Sequence, residues 1–263
     1  MASELAGITG NVVLITGAGG PNMGRAAALL FAGKGAKVAI TDVNEAGLAE
    51  TAALVRGQGG TVIALAANLL DEESVRDLVE QTCAVYGTVH HLLNFAAAYE
   101  PRHGTMECTS SDWDRIVGVT LKGSWLASKY AMQKMKDNDP IGEKGWRGSI
   151  VTVASAVAHR GGGNFVAYTA AKAGILGLTR AMAADGAPYR IRVNAISPGL
   201  TRTPATPLEE GSEAEQQAVS RAHLLPYMCE PEDQAEAALW LCSDAARTVT
   251  GAIFNIDGGW TAK

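Results

Sequence analysis

Short runs of apolar and β-branched residues recur along the chain, each followed by a longer stretch with helical spacing of its apolar positions. The strand-like runs are Val12 to Thr16, Val38 to Thr41, Val62 to Ala66, Leu92 to Asn94, Ser149 to Val153, Arg192 to Ile196 and Ile253 to Ile256. Between them lie helix-like segments near Gly24 to Gly33, Glu45 to Arg56, Glu72 to Tyr86, Asp112 to Lys136, Phe165 to Ala184 and Pro231 to Cys242. Parallel strands need helix-length connections, so this alternation predicts an α/β fold: a doubly wound, seven-stranded parallel sheet with helices on both faces.

Two segments break the alternation. Asp137 to Gly148 is polar and turn-rich and reads as a surface turn. Leu200 to Glu230 carries prolines and an acidic patch, and a long loop with its own short helix suits a lid over a pocket. The expected organisation is one domain over residues 1 to 263, with this substrate loop inserted at about 200 to 230. A chain of 263 residues is long enough for a substantial α/β core. A net charge of -5 offers no general attraction for nucleic acid or an anionic membrane. Met1 to Gly10 lacks the basic start and apolar run of a signal peptide, and no apolar stretch approaches the ~18 residues that span a bilayer, so the expected location is cytoplasmic. Cys83, Cys108, Cys229 and Cys242 have no CxxC spacing and read as reduced thiols.

The first strand runs into Thr16-Gly17-Ala18-Gly19-Gly20-Pro21-Asn22-Met23-Gly24 and then a helix. Glycines let backbone turn sharply and approach a pyrophosphate, whose charge suits the unpaired N–H groups of a helix N-terminus. Asp42 closes the second strand 18 residues after Gly24, near the ~20 of an acid that binds ribose hydroxyls in a Rossmann dinucleotide site. A carboxylate there repels a 2′-phosphate, which favours NAD (NADH) over NADP, although Arg25 follows the turn at once. Standing alone, Asp42 would read better as a cap for the next helix.

Tyr168 and Lys172 are one helical turn apart and share a helix face. Free tyrosine has a pKa near ~10, and a neighbouring ammonium favours the phenolate. Ser155, thirteen residues before Tyr168, follows the strand Ser149 to Val153, where its hydroxyl could hold a substrate oxygen. A YxxxK pair alone usually means an aromatic packed under a solvated lysine.

With these residues the chain resembles the short-chain dehydrogenase/reductase family over nearly its whole length. The matching motifs are Thr16 to Gly24 with one extra residue, Asn94 to Ala97 (NFAA for the common NNAG), Ser155, Tyr168, Lys172, Asn194 to Gly199 (NAISPG) and Asp257-Gly258-Gly259. The resemblance implies an oxidoreductase that interconverts a secondary alcohol and a ketone by hydride transfer. Tyr168 would be general acid and base, Ser155 would bond the substrate oxygen, and Lys172 would hold the nicotinamide ribose. Cofactor contacts are implied for Gly17, Gly19, Asn22, Met23, Gly24, Asp42, Asn68, Leu69, Asn94, Ala96, Tyr168, Lys172, Pro198, Gly199, Thr201 and Thr203. Ala98, Tyr99, Val157, Phe165, Leu200 and Pro204 flank the assigned catalytic positions and read as substrate-pocket walls, with core packing as the alternative for each. Family members associate through the helices here at Asp112 to Lys136 and Phe165 to Ala184, so a homotetramer is expected.

Three positions depart from the family pattern. Asn22-Met23-Gly24 stands for Gly-Ile-Gly, and asparagine tolerates a left-handed backbone well. Asn68 stands for an aspartate that touches the adenine amino group, and its amide oxygen can accept the same bond. Thr120 stands at the usual asparagine position, where the family kinks the helix and fixes a water leading from the lysine to solvent; a catalytic role is carried to Thr120 with that difference. His159 could face the pocket but more often such a residue is simply exposed. His90 and His91 lack metal-ligand spacing, and no metal is expected. The alternatives are an NAD-binding sensor that kept the fold and not the chemistry, and a lyase like the halohydrin dehalogenases, which have arginine at the lysine position and no nucleotide site.

Overall fold

The computed structural model describes residues 7–99 and 103–263; the first six residues of the Met1 to Gly10 stretch lie outside them. The strands are β1 (Val12–Thr16), β2 (Lys37–Asp42), β3 (Thr61–Ala66), β4 (His91–Asn94), β5 (Gly148–Val153), β6 (Ile191–Pro198) and β7 (Ile253–Ile256). All pair in parallel, in the order β3-β2-β1-β4-β5-β6-β7. The doubly wound expectation is met, with every strand end within two residues of its expected place.

Strand alternation splits the core in two. Val13 and Ile15 of β1 pack under the helices α1 (Met23–Gly33), α2 (Glu45–Gly57) and α9 (Pro231–Cys242). Leu14 and β4's Leu92 face α3 (Glu72–Tyr86), α5 (Gly123–Met135) and α7 (Val166–Gly186). Between β1 and β4 the chain order reverses, which opens a crevice at the carboxyl ends of the strands.

The helix expected over Asp112 to Lys136 is divided. It consists of α4 (Ser110–Val117), a π turn over Gly118–Lys122, and α5. The Ser124 hydroxyl donates to the Thr120 carbonyl at 2.7 Å and the Ser128 hydroxyl to the Ser124 carbonyl at 2.7 Å. Such back-bonding bends helices, and single π turns cluster at functional sites.

Two further helices are α6 (Val157–Arg160), after β5, and α8 (Glu213–Ala222), inside the Leu200 to Glu230 segment. The Asp137 to Gly148 segment is more than a surface turn. Trp146 is buried, and its indole N–H donates to Asp244 at 3.1 Å, which anchors the segment to the core.

Candidate active site

The nucleotide end of the crevice begins where β1 meets its glycine turn. Gly17 takes φ +74°, and a Cβ there would sit 2.6 Å from the backbone nitrogen of Ala96. A Cβ on Gly24 would lie 2.3 Å from the Gly17 carbonyl oxygen. Both positions therefore exclude any side chain, and α1 can approach the turn closely. Asn22 does not use the left-handed region expected of it. Its backbone is extended, and its side-chain oxygen accepts from the Gly24 and Arg25 N–H groups as the N-cap of α1.

Asp42 is not the cap of α2; Asn44 is, accepting from Gly47 N–H. The Asp42 carboxylate instead accepts from Gly19 N–H at 2.9 Å and Asn44 N–H at 3.0 Å, on the wall of a cavity of about 580 Å³. Arg25 is turned away from that cavity. It forms a bidentate pair with Glu50, at 2.9 and 2.8 Å, and donates to the Thr51 hydroxyl.

The same cavity is walled by Asn22, Met23, Gly24, Asn68, Leu69, Ala96 and Ala98. Asn68 has its amide oxygen engaged by Leu70 N–H. Asn94 departs from expectation: its side-chain amide donates to Ser124 and Ser128 of α5, so it lies beneath the crevice and Phe95, Ala96 and Ala97 line it instead. Sequence reasoning also missed Thr41, whose buried hydroxyl on this wall has no partner among the described residues. A cradle without side chains, a helix N-terminus and an edge carboxylate fit a dinucleotide.

A second cavity of about 180 Å³ adjoins the first and shares Met23, Phe95, Ala97, Tyr99, Thr203 and Ala205 with it. Ser155, Tyr168 and Lys172 meet here, Ser155 from the end of β5 and the other two from α7. Pro198, Gly199, Leu200, Thr201 and Thr203 supply the loop side, and Val157 and Phe165 also line the cavity. Trp260 joins them from the C-terminal end, its carbonyl accepting from Arg160. Its place after the Asp257-Gly258-Gly259 motif was the only signal in the sequence.

Lys172 is 3% exposed, and its ammonium donates to the Val153 carbonyl at 2.7 Å. Burial brings its pKa down to about 7. Burial and the neighbouring Tyr99 push Tyr168 well above the ordinary tyrosine value, while a hydrogen bond with Ser155 acts the other way. The expected depression of Tyr168 by an adjacent ammonium is thus outweighed, because the lysine charge is itself disfavoured in the same low-dielectric region.

Thr120 is fully buried and lines neither cavity. Its hydroxyl accepts from Ala98 N–H at 3.2 Å, tying the loop after β4 to the π turn. His159 reaches Ser197 at 3.2 Å and is absent from the catalytic wall. His90 accepts from Val12 N–H at 3.0 Å, and His91 bonds Ser149 and the Gly7 carbonyl. Burial brings His91 down to about 3, so this pair serves the core. Among the described residues no three His, Cys, Asp or Glu side chains are grouped to hold a metal, and no helix is long and apolar enough to cross a membrane. All four cysteines are free thiols.

Comparison with known proteins follows the same outline. A family model described as enoyl-(acyl carrier protein) reductase matches residues 17–261. The chain is 36% identical to a 2,5-dichloro-2,5-cyclohexadiene-1,4-diol dehydrogenase of Sphingobium indicum, over 97% of this chain and 98% of that protein. It is 36% identical to a cis-4-hydroxycyclohexanecarboxylate dehydrogenase of Sinomonas cyclohexanicum, over 95% and 96%. Among solved structures, a 3-ketoacyl-(acyl-carrier-protein) reductase of Brucella melitensis complexed with NADH superposes with a TM-score of 0.87 at 33% identity, over 97% and 99%.

Proposed function

The chain belongs to the short-chain dehydrogenase/reductase family of oxidoreductases, and from that premise we propose that it interconverts a secondary alcohol on a six-membered ring and the corresponding ketone, with NAD(H) as cofactor. The meeting of Ser155, Tyr168 and Lys172 in one cavity that opens into the nucleotide crevice carries this reading. The dehydrogenases of cyclic diols and hydroxy acids named above support the ring, as do the aromatic walls Phe165, Tyr99 and Trp260. The preference for NAD rests on the Asp42 carboxylate at the crevice edge and on the engagement of Arg25 by Glu50, which leaves that guanidinium no role at a 2′-phosphate.

Asp42 would hold the adenosine ribose, the Gly17 to Gly24 turn the pyrophosphate, and Lys172 with Thr201 and Thr203 the nicotinamide end. The bound nicotinamide supplies or accepts the hydride. Ser155 donates to the substrate oxygen and steadies the charge that gathers on it. Tyr168 gives a proton to that oxygen in reduction and takes one in oxidation. Its raised pKa keeps it protonated near neutrality, which suits it to the acid role there. The buried Lys172 ammonium lies over the Tyr168 ring, 5.5 Å from its centroid, and would also hold the nicotinamide ribose.

A cytoplasmic homotetramer is proposed with this function; half-exposed Trp113 and Trp125 on α4 and α5 support association through that face. The test is an NAD-linked screen of cyclic, aromatic, steroid and sugar alcohols in both directions, run beside NADP. Turnover of cyclohexanols with NAD at least as fast as with NADP is expected. A preference for NADP would refute the Asp42 assignment, and Asp42→Ala should erode the preference by about tenfold, the worth of about 1.4 kcal/mol.

A further inference from the structure

We propose that His223 is a positioning residue for the nicotinamide end of the site: its neutral imidazole sets the place of the loop after β6 that carries Thr201 and Thr203. The proposal rests on the cofactor reading above. His223 ends α8, its N–H donating to the Val219 carbonyl at 2.8 Å, and its side chain turns inward until the residue is 3% exposed. Nδ1 lies 2.8 Å from the Tyr227 carbonyl oxygen, and Nε2 lies 3.0 Å from the Leu200 backbone nitrogen. A carbonyl only accepts and a backbone N–H only donates, so the proton is on Nδ1 and Nε2 presents its lone pair to Leu200. One neutral tautomer satisfies both partners.

The imidazole is seated between two glycines. A Cβ on Gly199 would lie 2.7 Å from Nε2, and one on Gly258, where φ is +60°, would lie 2.5 Å from Nδ1. These glycines end the Asn194 to Gly199 motif and begin the pair after Asp257, so one ring uses room left by both motifs. The Gly258 carbonyl accepts from Leu224 and Leu225 N–H at 2.8 and 3.0 Å, which fastens the corner after α8 to the C-terminal turn. The imidazole also lies beside Trp260 of the catalytic cavity, with ring centroids 6.2 Å apart.

Other bonds hold the margins of the loop. Gly199 N–H donates to Ile256 at 3.1 Å, and the Leu200 carbonyl accepts from Cys229 N–H at 2.9 Å. Two contacts join the loop to the α8 segment. Arg202 pairs with Glu215 at 2.6 Å, but through two long side chains, one of them partly exposed. The His223 bond is different in kind, because a rigid, enclosed ring acts directly on backbone. It fixes Leu200 between Gly199 and Thr201, both on the catalytic cavity wall. Without it the Leu200 N–H loses its partner, and the loop shifts to find another.

Two amide variants separate the bonds. In His223→Gln the side-chain oxygen can stand near the Nε2 position and accept from Leu200, whereas in His223→Asn the amide reaches only the Nδ1 position. Titration of NADH by its fluorescence should give a Kd about tenfold higher for His223→Asn and within about threefold of wild type for His223→Gln. With NAD and an alcohol that the wild type turns over, His223→Asn should show the same rise in KM for NAD. Its kcat should stay within about threefold, since Ser155, Tyr168 and Lys172 stand on other segments. Hydrogen exchange at the Leu200 amide should quicken about tenfold in His223→Asn and hold in His223→Gln. Equal NADH binding by the two variants, or an unchanged Leu200 exchange rate in His223→Asn, would overturn the proposal. So would a loss of kcat with KM for NAD unchanged, which would make His223 a support of the fold alone. The wild type offers a further measurement. NMR of nitrogen-labelled histidine, with the signal identified by its loss in His223→Gln, should find the proton on Nδ1 at neutral pH; a proton on Nε2 would overturn the arrangement. Inactivity on every alcohol would instead count against the proposed function, because NADH binding, exchange and tautomer are read without turnover.

Discussion

Around Gly17 the crevice is walled by backbone so close that a single Cβ would meet Ala96 at 2.6 Å, whereas around Lys172 it is walled by side chains whose charges burial disfavours. The nucleotide end is shaped by what is missing from its residues, and its fixed N–H groups require no titration. The substrate end depends on where protons sit, and desolvation moves them. One end tolerates little change of shape and the other little change of charge, so substitutions should separate the two.

The largest separation is expected from Tyr168→Phe, which removes the proton donor and keeps the ring. Turnover should drop ~10²–10⁴-fold with NADH binding, followed by its fluorescence, unchanged. Retained turnover would take Tyr168 out of its role. Gly17→Ala should do the reverse: the KM for NAD rises about tenfold or more, equivalent to about 1.4 kcal/mol, with a smaller change in kcat at saturating NAD. Equal losses in both constants would mean that the two ends do not act separately.

The pH profile sharpens the charge side. Tyr168 is held high, so the phenolate needed for oxidation grows with pH, and that rate should climb by up to about tenfold per pH unit through the alkaline range while reduction stays flat near neutrality. A flat oxidation profile would mean that another base is at work. Lys172 contributes to stability in the same direction. Its pKa is about 7 folded against 10.5 for the free group, so the unfolded chain binds more protons between those values. Stability should rise from pH 7 toward 10.5, and Lys172→Met should flatten that slope in denaturant titrations. The smallest effect is expected from Thr120→Val, which orphans Ala98 N–H at a cost of about 1 kcal/mol in thermal unfolding and leaves NAD affinity alone. A loss in NAD affinity would place Thr120 in the nucleotide half after all.

The strands were legible because a buried parallel strand must be almost wholly apolar, and the glycine turn because its constraint acts between near neighbours in the chain. The YxxxK pair was legible as spacing, since one helical turn fixes its shared face. The break in the helix after Val117 was not, because the π turn follows from hydroxyls of Ser124 and Ser128 bonding back to carbonyls, a choice that apolar spacing does not encode. Asn94 was assigned to the cofactor by the family resemblance, but a strand residue faces one side or the other by register, and register turned it toward α5.

By itself, then, the sequence determined the parallel sheet, the glycine turn, and the residue types able to hold a dinucleotide and move a proton, all consequences of period, spacing and backbone freedom. Only the tertiary structure decided that Asn44 and not Asp42 caps α2, that Glu50 holds Arg25 away from the nucleotide cavity, and that Tyr99 lies on Tyr168. Those outcomes depend on side chains from separate segments competing for the same partners. The protonation of Tyr168 and Lys172 belongs with them, because it is set by how much water the packed fold leaves around each group.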